Sequence, residues 1–239
     1  MNAISTKQHI SLMDESNLEK NNFQKKLDNI ISALNTDQSG KTANKPSLLL
    51  HACCGPCSSY VIEYLSTFFD ITILYYNPNI YPQEEYNRRL NELLSFMPVF
   101  PPAIQNHVKI KQDSYDPQEF YQAIDIKNNP ELAHEPEKGE RCRRCYEFRL
   151  KRAYEYAKKN NFDYFCTTLS ISPFKDSNKI NTIGQSLQQQ NGPKWLFSDF
   201  KKKGGFKRSL ELSTEYGLYR QQYCGCVYSI KKDVSNTSI

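Results

Sequence analysis

Hydrophobic and polar positions along the chain follow two different periods, which predict an alternation of strands and helices. Residues 47–52 form a short, continuous apolar run of the kind that occupies a central parallel strand buried on both faces. Residues 57–68 carry apolar side chains at helical spacing, and residues 71–76 form a second apolar strand. Strands are predicted over 47–52, 71–76, 108–111 and 164–168, and helices over 23–34, 57–68, 83–96, 116–126, 140–160 and 176–190.

Repeated strand and helix units predict an α/β fold in which a mostly parallel sheet is covered by helices on both faces. We expect an added helical segment near the C terminus. The chain divides into a polar N-terminal extension (1–45), a catalytic α/β domain (46–232) and a short tail (233–239). Ligands of such sheets bind beyond the carboxyl ends of the strands, so the segment after the first strand is the first place to look for a site.

Composition narrows the class of protein. The 239 residues include 24% charged and 38% hydrophobic residues, which is a globular composition. No segment approaches the roughly 20 apolar residues of a membrane span, and the first residues lack the layout of a signal peptide. We therefore expect a cytoplasmic protein without a membrane partner. The net charge of +5 fits an anionic partner but does not require one.

The cysteines carry the strongest chemical signal. Seven of the eight fall in three clusters, which is typical of metal or redox sites in a reducing compartment and not of structural disulfides. The eighth, Cys166, lies in an apolar strand and is predicted to be a core residue. Thiolates that converge from two segments suit a 4Fe-4S cluster or a tetrahedral zinc ion. The clusters are Cys53-Cys54-x-x-Cys57, Cys142-x-x-Cys145 and Cys224-Gly225-Cys226.

Two features favour iron–sulfur chemistry over structural zinc. The adjacent Cys53 and Cys54 form a poor zinc knuckle, because such knuckles separate their ligands by roughly two to four residues. The chain also has more thiols than one zinc ion needs. In the Cys224-Gly225-Cys226 motif, glycine lets the backbone bring two sulfur atoms into a small, strained ring. Because a strained disulfide is easily reduced, this pair is predicted to be a reversible electron store.

Six motifs in matching order make the chain resemble the QueH family of epoxyqueuosine reductases over residues 47–229. The resemblance implies a HUP-like (Rossmann-related) fold, an iron–sulfur cofactor, and reduction of the epoxide of epoxyqueuosine to queuosine at the wobble position of tRNA, the last step of queuosine biosynthesis. The motifs are His51-Ala-Cys-Cys-Gly-Pro-Cys57, Tyr76-Asn-Pro-Asn-Ile-Tyr-Pro82, Glu85-Tyr-Asn-Arg-Arg89, Cys142-Arg-Arg-Cys145, Ser170-Ile-Ser-Pro-Phe-Lys175 and Leu218-Tyr-Arg-Gln-Gln-Tyr-Cys-Gly-Cys226.

The resemblance also implies residue roles. The resemblance does not decide the role of Cys57, which either binds an additional iron ion or packs at the start of a helix. The substrate would be a tRNA that bears epoxyqueuosine in its anticodon loop, and the electron donor is not identified. The implied 4Fe-4S ligands are Cys53, Cys54, Cys142 and Cys145, and the implied catalytic redox pair is Cys224 and Cys226.

Epoxide reduction also requires a proton donor, and tRNA binding requires contacts to phosphates. Candidates for the donor are His51, Tyr76 and Asp176, which lie at strand ends or in motif loops. The lysines of residues 201–203, followed by two glycines, are the best electrostatic candidates for phosphate contacts. Weaker candidates of the same kind are Arg88, Arg89, Arg143, Arg144, Lys175, Arg208 and Arg220.

Two other interpretations stay open. An ATP-dependent tRNA-modifying enzyme of the same broad fold, such as a thiolase, needs a glycine- and serine-rich pyrophosphate loop after the first strand. Here the thiols and the proline of residues 51–57 occupy that place, which disfavours nucleotide binding. A zinc-stabilised RNA-binding module without catalysis would hold zinc and be colourless, whereas an iron–sulfur protein is brown.

Overall fold

The computed structural model describes residues 22–37 and 45–230, and its centre is a five-stranded, all-parallel sheet in the order β3-β2-β1-β4-β5. In the middle of the sheet, Leu50 of β1 is paired with Ile73 of β2 and with Cys166 of β4. The direction of winding reverses between β1 and β4, so the crevice at their carboxyl ends is the expected ligand site. The strands are β1 (Ser47–His51), β2 (Asp70–Tyr75), β3 (Lys109–Gln112), β4 (Tyr164–Thr167) and β5 (Lys194–Trp195).

Eight α-helices accompany this sheet in the described residues, and the predicted α/β class is confirmed. The predicted C-terminal helical segment corresponds to the last of them. The helices are α1 (Phe23–Asp37), α2 (Gly55–Leu65), α3 (Gln83–Phe96), α4 (Pro101–Gln105), α5 (Pro117–Ile124), α6 (Glu140–Lys159), α7 (Ser177–Leu187) and α8 (Gly205–Glu215). Short 3-10 turns lie at Met97–Val99, Pro130–His134, Thr168–Ile171 and Val227–Ser229.

Alternate side chains of β1 enter different cores, which places helices on both faces of the sheet, as predicted. Leu48 and Leu50 belong to the core beneath α2, α3 and α8, whereas Leu49 belongs to the core beneath α6 and α7. All three leucines are fully buried. Because successive side chains of a strand point to opposite faces, a strand covered on both sides must be apolar throughout.

The strand β5 is the main element that the sequence pattern does not predict. It contains only Lys194 and Trp195, which is too short for an alternating pattern to show. Trp195 is buried against α7, where a Cβ atom on Gly184 would lie 2.2 Å from the indole ring. The indole Nε1 donates a hydrogen bond to Asn181 at 3.0 Å. Contacts with α7 therefore hold this edge strand in place.

The helix predicted over residues 23–34 is confirmed as α1, and it packs on the domain instead of standing apart from it. Leu27 is fully buried in the same core as Leu48, and the ring of Phe23 stacks on that of Phe197 with 6.1 Å between centroids. The apolar stripe of an amphipathic helix accounts for this packing. Part of the N-terminal extension is thus integrated into the core.

Within residues 22–37 and 45–230, no helix is both long enough and apolar enough to cross a bilayer. The predicted domain limits at residues 45 and 232 stay predictions. The tail, residues 233–239, lies outside the described residues.

Candidate metal and redox site

The first cysteine cluster lies between β1 and α2, at the carboxyl edge of the sheet. Helix α2 has Cys54 as its N-cap residue and a proline in its first turn, which fits the conformation of a helix start. The Sγ atoms of Cys53, Cys54 and Cys57 all lie within 4.8 Å of one another, and those of Cys53 and Cys54 are 3.8 Å apart. A tetrahedral ion with metal–sulfur bonds of ~2.3 Å has sulfur–sulfur edges of about this length. The three sulfur atoms are therefore placed to bind a metal.

Burial and mutual hydrogen bonding distribute the protons of these thiols unequally. Hydrogen bonds from Cys54 and Cys57 hold the pKa of Cys53 well below its usual value. The same pairing with Cys53 raises the pKa of Cys54 to about 12 and raises that of Cys57. Because metal ligands must be thiolates, metal binding at this cluster would release protons.

The second cluster lies at the start of α6, where Cys142 and Cys145 are one turn apart and share a side of the helix. Cys142 packs in the same buried cluster as Cys53 and Cys54. Cys145 packs instead with Cys226. Desolvation raises the pKa of both thiols, that of Cys145 to about 11. The start of α6 thus lies between the loop after β1 and the C-terminal cysteine pair.

The third cluster lies in the irregular segment after α8, and both of its cysteines are free thiols. Gly225 between them has φ +116°, a conformation that side chains rarely adopt, which agrees with the predicted need for glycine. A hydrogen bond from Cys226 and the charge of Lys175 lower the pKa of Cys224 well below its usual value, although burial opposes them. Lys175 Nζ lies 2.7 Å from Cys224 Sγ. The pKa of Cys226 is raised, so Cys224 is the thiolate of the pair and Cys226 carries the proton.

The side chain of Arg89 binds the backbone of the segment that carries Cys224 and Cys226. Its buried guanidinium pairs with Glu85 Oε1 at 2.6 Å and donates to the carbonyl oxygens of Cys224 and Tyr223 at 3.2 and 3.4 Å. A Cβ atom on Gly225 would lie 3.0 Å from Arg89 Nη1, so this position requires glycine for space as well as for its φ angle. Arg89 is therefore a positioning residue for the segment of Cys224 and Cys226 and is too deeply buried to contact a phosphate.

A cavity of about 550 Å³ lies between the first and third clusters. Its wall includes Cys53 and Cys57 from the first cluster and Cys224 from the third, together with Lys175 and Arg149. Its volume is within the range of small-molecule sites, roughly 300–1,000 Å³. The cavity therefore offers space for a nucleoside-sized group beside the thiols.

Buried cations beside the cysteines indicate a site that holds negative charge. Arg149 is 2% exposed and donates to Asn77 Oδ1 at 2.5 Å, but its Nε has no hydrogen-bond partner among the described residues. Lys175 is 7% exposed, and the nearest carboxylate oxygen, Glu137 Oε1, is 3.9 Å away. Burying a cation is costly unless an anion compensates it. Thiolates, or an anionic cluster bound by them, supply that compensation here.

The three residues proposed as proton donors form hydrogen bonds away from the cavity. His51 Nδ1 is 2.8 Å from Thr167 Oγ1 and His51 Nε2 is 3.1 Å from the carbonyl oxygen of Tyr76; since a carbonyl only accepts, Nε2 carries the proton. Desolvation lowers the pKa of His51 to about 3, so its ring is neutral. Tyr76 Oη donates to Glu119, and Asp176 caps α7. None of the three lines the cavity, and each has a structural role.

Two of the three lysines before α8 are already engaged in ion pairs, which the sequence does not indicate. Lys201 pairs with Asp199 at 2.5 Å, and Lys203 pairs with Asp28 of α1 at 2.7 Å. Lys202 is exposed and forms no ion pair with any described residue. Phosphate binding at this loop has to compete with two ion pairs, and it stays a prediction.

Cys166 is the eighth cysteine, and the prediction that it is a core residue is confirmed. It is fully buried in β4, and its thiol donates to the carbonyl oxygen of Leu196 at 3.3 Å. Desolvation raises the pKa of this thiol to about 12. Cys166 is therefore an unreactive thiol and a suitable internal control for the other seven.

Comparison with known proteins shows the family to which the chain belongs. A family model described as "Epoxyqueuosine reductase QueH" matches residues 48–232. The chain belongs to the QueH family. The match confirms the resemblance and, with it, the prediction of an oxidoreductase of the epoxyqueuosine reductase class. Helix α1 precedes the matched QueH region although it packs on it.

Similar proteins from several bacteria have the same description. The epoxyqueuosine reductase QueH of Streptococcus pyogenes serotype M1 is 43% identical over 191 residues, which are 80% of this chain and 73% of that protein. The one of Staphylococcus epidermidis is 38% identical over 214 residues, 90% of this chain and 87% of the relative. The one of Thermotoga maritima is 34% identical over 192 residues, 77% of this chain and 90% of the relative.

Three cations of this QueH site have roles that sequence reasoning missed. The pattern assigns Arg89 and Lys175 to phosphate contacts and does not single out Arg149, whereas the structure places all three beside the cysteines. One local signal was available for Arg89, because Glu85 four residues earlier predicts an ion pair on one face of a helix. No local pattern indicates the contacts of Lys175 and Arg149, since their partners are distant in sequence.

Proposed function

We propose that this chain reduces the epoxide of epoxyqueuosine at the wobble position of tRNA to give queuosine, in the cavity between its first and third cysteine clusters. The observation that carries the proposal is a nucleoside-sized cavity lined by cysteines of the first and third clusters, with buried cations beside them. The cysteines of the second cluster pack behind its wall, in the same buried clusters as Cys53 and Cys226. Membership of the family supports the choice of substrate.

The residues present fit an iron–sulfur cofactor. Thiolates are the usual ligands of such clusters, and Cys142 already packs in the same buried cluster as Cys53 and Cys54. The unpartnered Nε of Arg149 offers a buried donor to an anionic group. When bound, a 4Fe-4S cluster supplies electrons singly, and an open iron site supplies Lewis acidity toward oxygen. We propose as its ligands Cys53, Cys54, Cys142 and Cys145.

Cys57 stands next to that ligand set. Its sulfur lies within 4.8 Å of the sulfur atoms of Cys53 and Cys54, so an ion bound by Cys57 would lie beside the cluster that those two hold. We therefore propose Cys57 as the place where an additional iron ion would be held. Metal analysis of Cys57→Ser tests this: loss of one iron with retention of sulfide supports it, and unchanged iron content contradicts it.

The redox pair balances the reaction. When the epoxide oxygen leaves as water and a carbon–carbon double bond forms, two electrons and two protons are consumed. Oxidation of the Cys224 and Cys226 thiols to a disulfide releases the same number of each. Lys175 Nζ lines the cavity 2.7 Å from Cys224 Sγ, where it holds a proton between the thiols and the substrate. A separate electron donor then reduces the disulfide for the next turnover.

The proposal is tested by anaerobic purification, iron and sulfide analysis, and an assay of queuosine formation on tRNA that bears epoxyqueuosine. Cys142→Ser is expected to lose iron and activity together, and Cys226→Ser to keep iron but lose multiple turnover. The buried core thiol supplies the matched control, because Cys166→Ser is expected to keep both iron and turnover. Full multiple turnover by Cys226→Ser with a physiological reductant would exclude the role of the dithiol.

The two other interpretations predict different results. In ATP-dependent enzymes of this topology, the pyrophosphate binds at the helix that follows β1. Here the carboxylate of Glu92 lies beside that place, since a Cβ atom on Gly55 would be 3.3 Å from Glu92 Oε2, and Pro56 removes an amide donor. Stoichiometric zinc without iron or sulfide would instead indicate the RNA-binding module.

A further inference from the structure

Phe174 is an aromatic side chain on the solvent side of the cavity wall. Its residue is 65% exposed, the highest value among the large hydrophobic residues that the structure describes, and it lines the cavity. The next residue, Lys175, points inward to Cys224. A single exposed apolar residue needs no explanation elsewhere on a surface, but this one stands at the entrance to the thiols.

The backbone that carries Phe174 is fixed by hydrogen bonds. Phe174 N donates to Ser172 Oγ at 3.2 Å, and Lys175 N donates to Ser172 O at 3.2 Å. On the C-terminal side, Asp176 caps α7. The ring forms no aromatic pair with any ring in the described part of the chain. The backbone that carries the ring is therefore fixed, and the exposed ring has faces available to a ligand.

Cationic side chains share the wall with this ring. Arg220 is exposed, lines the cavity and is oriented by a hydrogen bond from its Nη1 to Ser213 Oγ at 3.0 Å. A ring beside positive charge is the arrangement with which proteins hold unpaired nucleotides: the base stacks on the ring while cations attract the backbone.

We propose that Phe174 is a stacking platform for an unpaired base of the tRNA anticodon loop. The inference rests on the proposed function, because it takes the substrate to be a nucleotide presented by a tRNA loop. Stacking at the entrance would hold the loop while the epoxide end of the modified base reaches the thiols inside. Phe174 would then contribute to tRNA affinity through its ring and not through apolar area alone.

The test compares Phe174→Ala, Phe174→Leu and Phe174→Tyr in the full, cluster-loaded chain. A fluorescently labelled anticodon stem-loop gives the dissociation constant by anisotropy, and tRNA bearing epoxyqueuosine gives KM. Loss of the ring is expected to raise both about tenfold in the Ala and Leu variants, while the Tyr variant stays within about twofold of the wild type. Ile104→Ala is the matched control, because Ile104 is 50% exposed and does not line the cavity.

Two results would overturn the inference: Phe174→Ala binding the stem-loop as tightly as the wild type, or Phe174→Leu restoring wild-type affinity. Thermal unfolding of each variant is measured beside the binding data, so that a loss of affinity caused by misfolding is recognised. Failure of the proposed function is distinguishable. It would show as wild-type chain that produces no queuosine, whereas the binding measurement judges the stacking inference independently of turnover.

Discussion

Removing the charge next to the redox pair should change the acidity of Cys224. Lys175 Nζ lies 2.7 Å from Cys224 Sγ, and the ammonium helps to lower the pKa of that thiol. Desolvation disfavours the ammonium, but the attraction of Cys224 outweighs it and raises the pKa of Lys175, so the pair is thiolate and ammonium. Lys175→Met keeps the length of the side chain and removes the charge.

The size of the effect follows from the contact. A hydrogen bond to a charged group contributes about 1.5–3 kcal/mol. Each pKa unit corresponds to about 1.4 kcal/mol. We therefore expect the pKa of Cys224 in Lys175→Met to rise by about one to two units. The hydrogen bond from Cys226 remains, so the thiol should stay more acidic than an isolated buried cysteine.

The assay measures alkylation of the reduced protein by iodoacetamide as a function of pH, with the Cys224 peptide quantified by mass spectrometry. Only the thiolate reacts, so the midpoint of the rate profile reports the pKa. Lys175→Arg should keep the midpoint near that of the wild type, and Lys207→Met, at an exposed lysine of α8, should leave it unchanged. If Lys175→Met has the wild-type midpoint, the contact does not control the acidity of Cys224 and the reasoning is wrong.

Three further predictions concern packing around the site. Gly225→Ala places a side chain at φ +116° and 3.0 Å from Arg89 Nη1, and it should cost about 1–3 kcal/mol in chemical denaturation, so an unchanged midpoint would contradict the strain. Arg89→Met removes the cation that pairs with the buried Glu85 and should lower the free energy of unfolding by about 3–5 kcal/mol. The double variant Arg89→Met with Glu85→Gln should recover part of this loss, and a double variant no more stable than the single one would refute the pairing. Gly184→Ala puts a methyl group 2.2 Å from the Trp195 ring and should lower the free energy of unfolding by about 1–3 kcal/mol. A variant as stable as the wild type would show that β5 can shift away from α7 without cost.

The parts of the fold that the sequence predicted are those with a strong local pattern. The continuous apolar run of β1 and the amphipathic period of α1 each extend over enough residues to be recognised, and both elements are found. β5 consists of two residues, and its position is decided by contacts between Trp195 and α7. Long-range packing of this kind leaves no mark on the local pattern.

The candidate site divides in the same way. The three cysteine clusters could be found because each is compact in sequence, and the structure places Cys142 in one buried cluster with Cys53 and Cys145 in another with Cys226. The role of Arg89 was not visible, because its carbonyl partners follow 134 and 135 residues later. The residue type alone does not show whether an arginine is buried or exposed. Only the fold distinguishes them.

The anchoring of the redox segment has a consequence for catalytic cycling. Arg89 binds the carbonyl oxygens of residues 223 and 224, and Tyr81 N donates to the carbonyl oxygen of Gly225 at 2.8 Å. None of these bonds involves a sulfur atom. Oxidation and reduction of the thiols therefore leave the donors and acceptors of these anchors chemically unchanged, so the same three backbone bonds are available to the pair in both oxidation states.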